Sequence, residues 1–273
     1  MQISTFRLLL LLLTVSVGFM SCEEEVDWEL ATGGNEKLVV EAILTDELRF
    51  QEVKLSQSYD QLNGEPPAVT DAIVTLSIPG ASVNFIHNDT FPGIYRSEIP
   101  FPIVDNLDYE LTVEWQSEIY TSTSNLSNVY PIPQVTYRQF GNSDNLLVLN
   151  EFVPLYHPNQ QAMYEVDIIW SHLTGNAADV AKTYFYTFNN VDISQLVRPD
   201  RADLPFPRGS IIVVRKFGLN DDFAEYLQAL VIETDWTASL FYSNPSSLPT
   251  NISNDGLGFF STCAVLTEIL IAL

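Results

Sequence analysis

Apolar and polar residues alternate along most of this chain, and the period of two predicts half-buried β-strands. Residues 38–44 (Leu-Val-Val-Glu-Ala-Ile-Leu) read as a first strand, and 53–56, 72–78 and 82–86 as the next three. Three more follow at 93–96, 109–115 and 119–122. Pro79-Gly80, Asn88-Asp89 and Pro92-Gly93 punctuate the series as turns. Seven short strands in about 90 residues, spaced by turn residues, predict an immunoglobulin-like β-sandwich. The Cys–Trp–Cys pattern of immune domains is missing, so this is an expectation about architecture only.

Tyr130-Pro131-Ile132-Pro133 interrupts the pattern, because neither proline can donate to a ladder. A domain boundary is expected there, with residues 37–130 forming the sandwich and 131–273 a second β-rich domain. In the latter, 145–153, 162–170, 183–188, 210–217 and 223–232 read as longer strands. One short helix is expected at 236–242, capped by Thr234 or Asp235 and ended by Asn244-Pro245. Residues 191–208 carry three prolines and read as an ordered surface loop, while the apolar stretch 263–273 reads as a closing strand. The fold class expected is therefore mainly β.

The pattern differs at the start. Arg7 precedes an uncharged, mostly apolar run over residues 8–19, which ends in Met20-Ser21-Cys22. A run of about a dozen residues suits a signal peptide and is too short to span a bilayer. Ser21 before Cys22 resembles a bacterial lipobox, in which Cys22 is lipidated and becomes the new N-terminus once residues 1–21 are removed. Residues 22–36 then form an acidic tether, beginning Glu23-Glu24-Glu25-Val26-Asp27. Like charges keep such a segment extended. An acidic cluster at this position also resembles the surface-export signal of Bacteroidota lipoproteins.

Charge narrows the partners. Loss of residues 1–21 removes Arg7 and leaves 35 acidic against 11 basic side chains, a net charge of −24 over 252 residues. Such a surface repels phosphate backbones, so no nucleic-acid partner is expected. It also repels anionic lipid, which leaves membrane affinity to the acyl chains, each buried methylene contributing about 0.8 kcal/mol. A hydrophobic content of 46% provides for a large core. With Cys22 acylated, Cys263 has no cysteine to pair with, and its apolar neighbours predict a small buried hydrophobe.

A longer pattern emerges towards the end: Asn244-Pro245 leads through Pro249 and Asn251-Ile252 to Gly256-Leu257-Gly258-Phe259-Phe260. This resembles the closing signature of the Bacteroidota lipoproteins grouped as domain of unknown function 4249. Leu38-Val39-Val40-Glu41-Ala42 with Leu44-Thr45-Asp46 is similar to that family's opening strand. Pro66-Pro67-Ala68-Val69 before 72–76, and Leu107-Asp108-Tyr109-Glu110-Leu111 ahead of Pro131-Ile132-Pro133, match it as well. Ser246 and Asp255 depart from it, standing where Phe and a second Gly are common. The resemblance implies an outer-membrane lipoprotein facing the cell exterior and encoded beside a TonB-dependent receptor. It carries no catalytic residues over.

Motifs for chemistry are sparse. His87, His157 and His172 lie on different segments without zinc-ligand spacing, and neither a nucleophile elbow nor a phosphate loop occurs. Asn220-Asp221-Asp222 and Asn254-Asp255-Gly256 offer oxygens for calcium but lack EF-hand spacing and read as turns. Gly256 and Gly258 are expected to serve a positive φ or a close backbone approach. Of the aromatics, Tyr59, Tyr156 and Phe206 are the loop candidates for binding. The expectation is a non-enzymatic accessory or cargo-binding partner of a TonB-dependent receptor, without cofactor or metal. A structural or adhesive surface protein and a secreted hydrolase remain the alternatives.

Overall fold

The alternation at 38–44 becomes strand β1, Leu38–Thr45, which buries Leu38, Val40, Ala42 and Leu44 on one face. The computed structural model describes residues 36–59, 64–190, 203–234 and 248–273, with the backbone alone for 232–234. Strands β2 (Glu52–Gln57), β3 (Ile73–Ile78), β4 (Ala81–His87), β5 (Ile94–Ser97), β6 (Asp108–Trp115) and β7 (Glu118–Asn125) follow where the sequence predicts them. The order β1-β2-β5-β4 on one side and β3-β6-β7 on the other is that of the two sheets of a constant-type immunoglobulin sandwich. The β3–β4 hairpin is itself paired, so the two parts run on as one continuous hydrogen-bonded sheet. A tyrosine corner, another hallmark of that architecture, is also present. Tyr109, near the start of β6, accepts a hydrogen bond from Val104 N–H at 2.8 Å and lies 3.3 Å from the Val104 carbonyl.

The second half adds β8 (Tyr137–Gln139), β9 (Leu146–Leu149), β10 (Gln161–Ile169), α1 (Ser171–Thr174), β11 (Val180–Thr187), β12 (Phe206–Pro207) and β13 (Ile211–Leu219). Helix α2 (Asp221–Thr234) and strands β14 (Leu257–Cys263) and β15 (Val265–Ile271) complete it. An antiparallel sheet runs β11-β10-β13-β15, beside a smaller one of order β12-β9-β8. Leu147 and Phe206 from the smaller sheet share a core with Tyr164, Val166, Ile168, Ile212 and Val214 from the larger.

One expected strand is a helix. Residues 223–232 lie in α2, where Phe223, Ala224 and Leu227 are buried at helical spacing. Asn220 Oδ1 accepts from Phe223 N–H at 2.8 Å as the N-cap, and Asp221 and Asp222 suit the positive end of the helix. The helix expected at 236–242 lies outside the described residues. Within the stretch 191–208 expected to be an ordered surface loop, Phe206–Pro207 pair with β9 as the short strand β12.

Residues 130–133 carry no strand, yet the chain beyond them returns to the first sheet. β14 lies parallel to β1, with Val40 opposite Gly258 and Leu44 opposite Thr262. Its other side meets β7: Ser124 Oγ accepts from Thr262 N–H at 3.0 Å, and Ser253 N–H donates to Thr121 O at 2.9 Å. Phe260 fills the sandwich core while Phe259 and Cys263 pack against α2, so this strand is buried on both faces. Ala264 alone separates β14 from β15, and the chain passes there from one sheet into the other. Glu36–Leu273 accordingly form one compact unit.

Candidate functional site

The four-stranded sheet has one face in the core and one that changes character from end to end. Pairing registers align its residues in rows across the strands β11, β10, β13 and β15. Tyr186, Met163, Phe217 and Val265 form the first row, and Phe223, Ala224 and Leu227 of α2 pack in the same cluster. Tyr184, Glu165, Arg215 and Thr267 form the second, and Lys182, Asp167, Val213 and Ile269 the third. The fourth is wholly aliphatic: Val180, Ile169, Ile211 and Ile271. Val180 is 51% exposed, Ile271 56% and Ile269 67%. A cluster of β-branched side chains left open to water marks an interaction surface.

Ion pairs cross the middle of this face. Lys182 Nζ lies 3.2 Å from Glu165 Oε2 and 3.3 Å from Asp167 Oδ1. Burial draws the Lys182 ammonium down, but the hydrogen bond and charge of Glu165, with Tyr184 and Asp167, outweigh it and raise the pKa. Arg215 reaches Glu165 at 3.6 Å, pairs with Glu47 from the β1–β2 loop, and lies over the Phe217 ring at 5.0 Å. Lys182 thus bridges Glu165 and Asp167, and with Arg215 the four side chains form one ion-paired cluster across β11, β10 and β13.

Beneath it, on the core face, lies a buried lysine that the sequence reading missed. Lys216 is 2% exposed. Its Nζ donates to Pro131 O and to Gln160 Oε1, both at 3.1 Å, and sits 5.2 Å from the Tyr164 ring centroid. No carboxylate pairs with it among the described residues, and burial pushes its pKa down to about 8. Strict alternation in β13 was the available signal, because it sets Lys216 on the same side as Ile212 and Val214.

The residues singled out from sequence are scattered. Cys22 lies outside the described residues. Tyr59 and Tyr156 are exposed, but Phe206 is fully buried between β9 and the sheet and offers no binding surface, because its ring fills the core. His87 accepts from Gly93 N–H and His157 from Asn159 N–H, each within its own turn, while His172 Nε2 lies 3.1 Å from Gly209 O and ties α1 to the turn before β13. Cys263 is buried, its thiol pushed up to about 12 by desolvation. Asn220-Asp221-Asp222 opens α2 rather than making a plain turn. Asn254 and Asp255 take the positive φ values expected of the glycines, while Gly256 is needed for its approach to Ile252 and Tyr120. Gly258 meets both expectations. No group of three or more metal-ligating side chains occurs among the described residues.

Residues 23–269 match the model of the family described as Domain of unknown function (DUF4249), and the chain belongs to that family. No curated protein matches it.

Proposed function

We propose that this family member is a lipid-anchored outer-membrane protein of a Bacteroidota cell, exposed on the outside, which acts by binding as a non-enzymatic accessory of a TonB-dependent receptor. The observation that carries the reading is the apolar run 8–19 ending in Ser21-Cys22. The family match runs over residues 23–269 and leaves residues 1–22 outside it, which fits this reading. Fifteen residues separate Cys22 from Leu38 at the start of β1, and a chain of that length reaches at most about 55 Å. The folded body therefore stays close to the membrane surface, where a receptor barrel is within reach. The exposed aliphatic row of the four-stranded sheet, bordered by Lys182, Asp167, Glu165 and Arg215, is the surface best suited to contact a partner.

Metabolic labelling with an alkyne fatty acid, followed by affinity purification from solubilised outer membrane, tests both halves of the reading. The wild-type chain incorporates label and brings a receptor barrel with it, whereas Cys22→Ala takes up no label and leaves the membrane fraction. Absence of label in the wild type would remove the anchor. Labelled protein that purifies without a barrel would remove the receptor partnership.

A further inference from the structure

We propose that β15 accepts an extended strand from a partner with alternating aliphatic and basic side chains, which adds a fifth strand to the four-stranded sheet. This holds whether or not Cys22 is acylated. Among the described residues β15 ends its sheet. Proteins usually blunt such edges with lysine, proline or a bulge, since an open ladder recruits strands. Val265–Ile271 contains neither lysine nor proline, and Glu268 is its one charge.

The backbone defines an open window. Gly218 N–H donates to Ala264 O, and Ala272 N–H to Ser210 O, so the even-numbered residues of this segment turn their polar groups towards β13. Antiparallel alternation then turns Val265, Thr267, Ile269, Ile271 and Leu273 outwards. The two ends are closed: Val265 N–H donates to Asp46 Oδ1 at 2.9 Å and Leu273 N–H to Tyr137 Oη at 2.8 Å. Among the described residues, Thr267, Ile269 and Ile271 are left with outward N–H and C=O groups that meet no partner, a length that pairs with a strand of about five residues. These unpaired groups specify a β-strand as the occupant, which an apolar face alone would not.

The side chains specify its chemistry. Alternate residues of an added strand fall beside Ile269 and Ile271, continuing the aliphatic row of Ile211, Ile169 and Val180. The intervening ones fall beside Leu266 and Glu268 on the opposite face, where a basic side chain meets the acid. A second copy of this chain is disfavoured, because both copies carry a net charge of −23 and pairing about the middle of β15 opposes Glu268 to its twin.

The probe is a fluorescein-labelled heptapeptide alternating Lys and Val, titrated against the full chain in detergent and followed by anisotropy, with amide exchange measured by NMR. In the free chain Thr267, Ile269 and Ile271 exchange fast and Glu268 and Leu270 slowly, and the peptide slows the first three. Ile269→Pro removes an outward N–H while keeping the ladder to β13, and weakens binding about tenfold or more. Glu268→Arg weakens the Lys-Val peptide and favours a Glu-Val one. This variant leaves the backbone untouched, so it carries the test if Ile269→Pro does not fold. The proposal is overturned if the peptide does not bind, if a backbone N-methylated peptide binds equally well, or if folded Ile269→Pro binds unchanged. It is overturned equally if the chain dimerises through β15 without peptide.

Discussion

The α-carbon of Gly258 lies so close to the carbonyl of Val40, across the parallel β1–β14 pair, that a β-carbon at residue 258 would overlap that oxygen. Gly258 also has φ +85°, a conformation disfavoured for any residue with a side chain. Gly258→Ala therefore has to part the strand that joins the two halves of the fold. A loss of at least about 2–3 kcal/mol is expected from backbone strain and the displaced ladder together. Urea denaturation measures it, and an unchanged midpoint would mean that β14 does not depend on this approach.

The tyrosine corner is a second joint. Removing the hydroxyl in Tyr109→Phe leaves Val104 N–H without its partner at little change in volume. The expected loss is about 1–2 kcal/mol, with the strand order intact by circular dichroism. An effect near zero would show that solvent replaces the hydroxyl there.

Lys216 gives stability an unusual pH dependence. Its ordinary pKa of 10.5 falls to about 8 in the fold, so between these values the unfolded chain binds more protons than the folded one. Stability therefore rises with pH from about 8, by up to about 1.4 kcal/mol per unit. Denaturation midpoints at closely spaced pH values should show this rise in the wild type. Lys216→Met should abolish it, whatever that variant does to overall stability. A rise that persists without Lys216 assigns the effect to another group.

Cys263 acts in the opposite sense at higher pH. Burial raises the thiol from 9.0 to about 12, with Asp46 adding to the effect and the Ser261 hydrogen bond opposing it. Above about pH 9 the unfolded thiol ionises while the folded one keeps its proton, which lowers stability and offsets the Lys216 gain. In Cys263→Ala the rise should continue to about pH 10 instead of levelling off. In a Cys22→Ala chain, the remaining thiol should react with a disulfide reagent only after unfolding, since thiolate and access are both withheld. Reaction in native buffer would place Cys263 at the surface.

Local pattern was enough for the seven strands of the sandwich, because alternation such as that of Val40, Ala42 and Leu44 records which face of a strand meets the core. It was enough also for Cys263, whose apolar neighbours announced its burial. The helix over 221–234 is marked by Asn220 and the spacing of Phe223, Ala224 and Leu227, but apolar residues this dense also suit a strand, and periodicity alone does not choose between the two. Nothing local marks Phe206 as a core residue rather than a loop aromatic; that follows from its pairing with Leu147, 59 positions earlier. The rows of the open sheet face were likewise beyond reach. Glu165, Lys182, Arg215 and Ile269 share one face only because three antiparallel registers align them, and a slip of one residue in any strand would turn its members to the opposite face. Register depends on the packing of the whole sheet, and so does the site built on it.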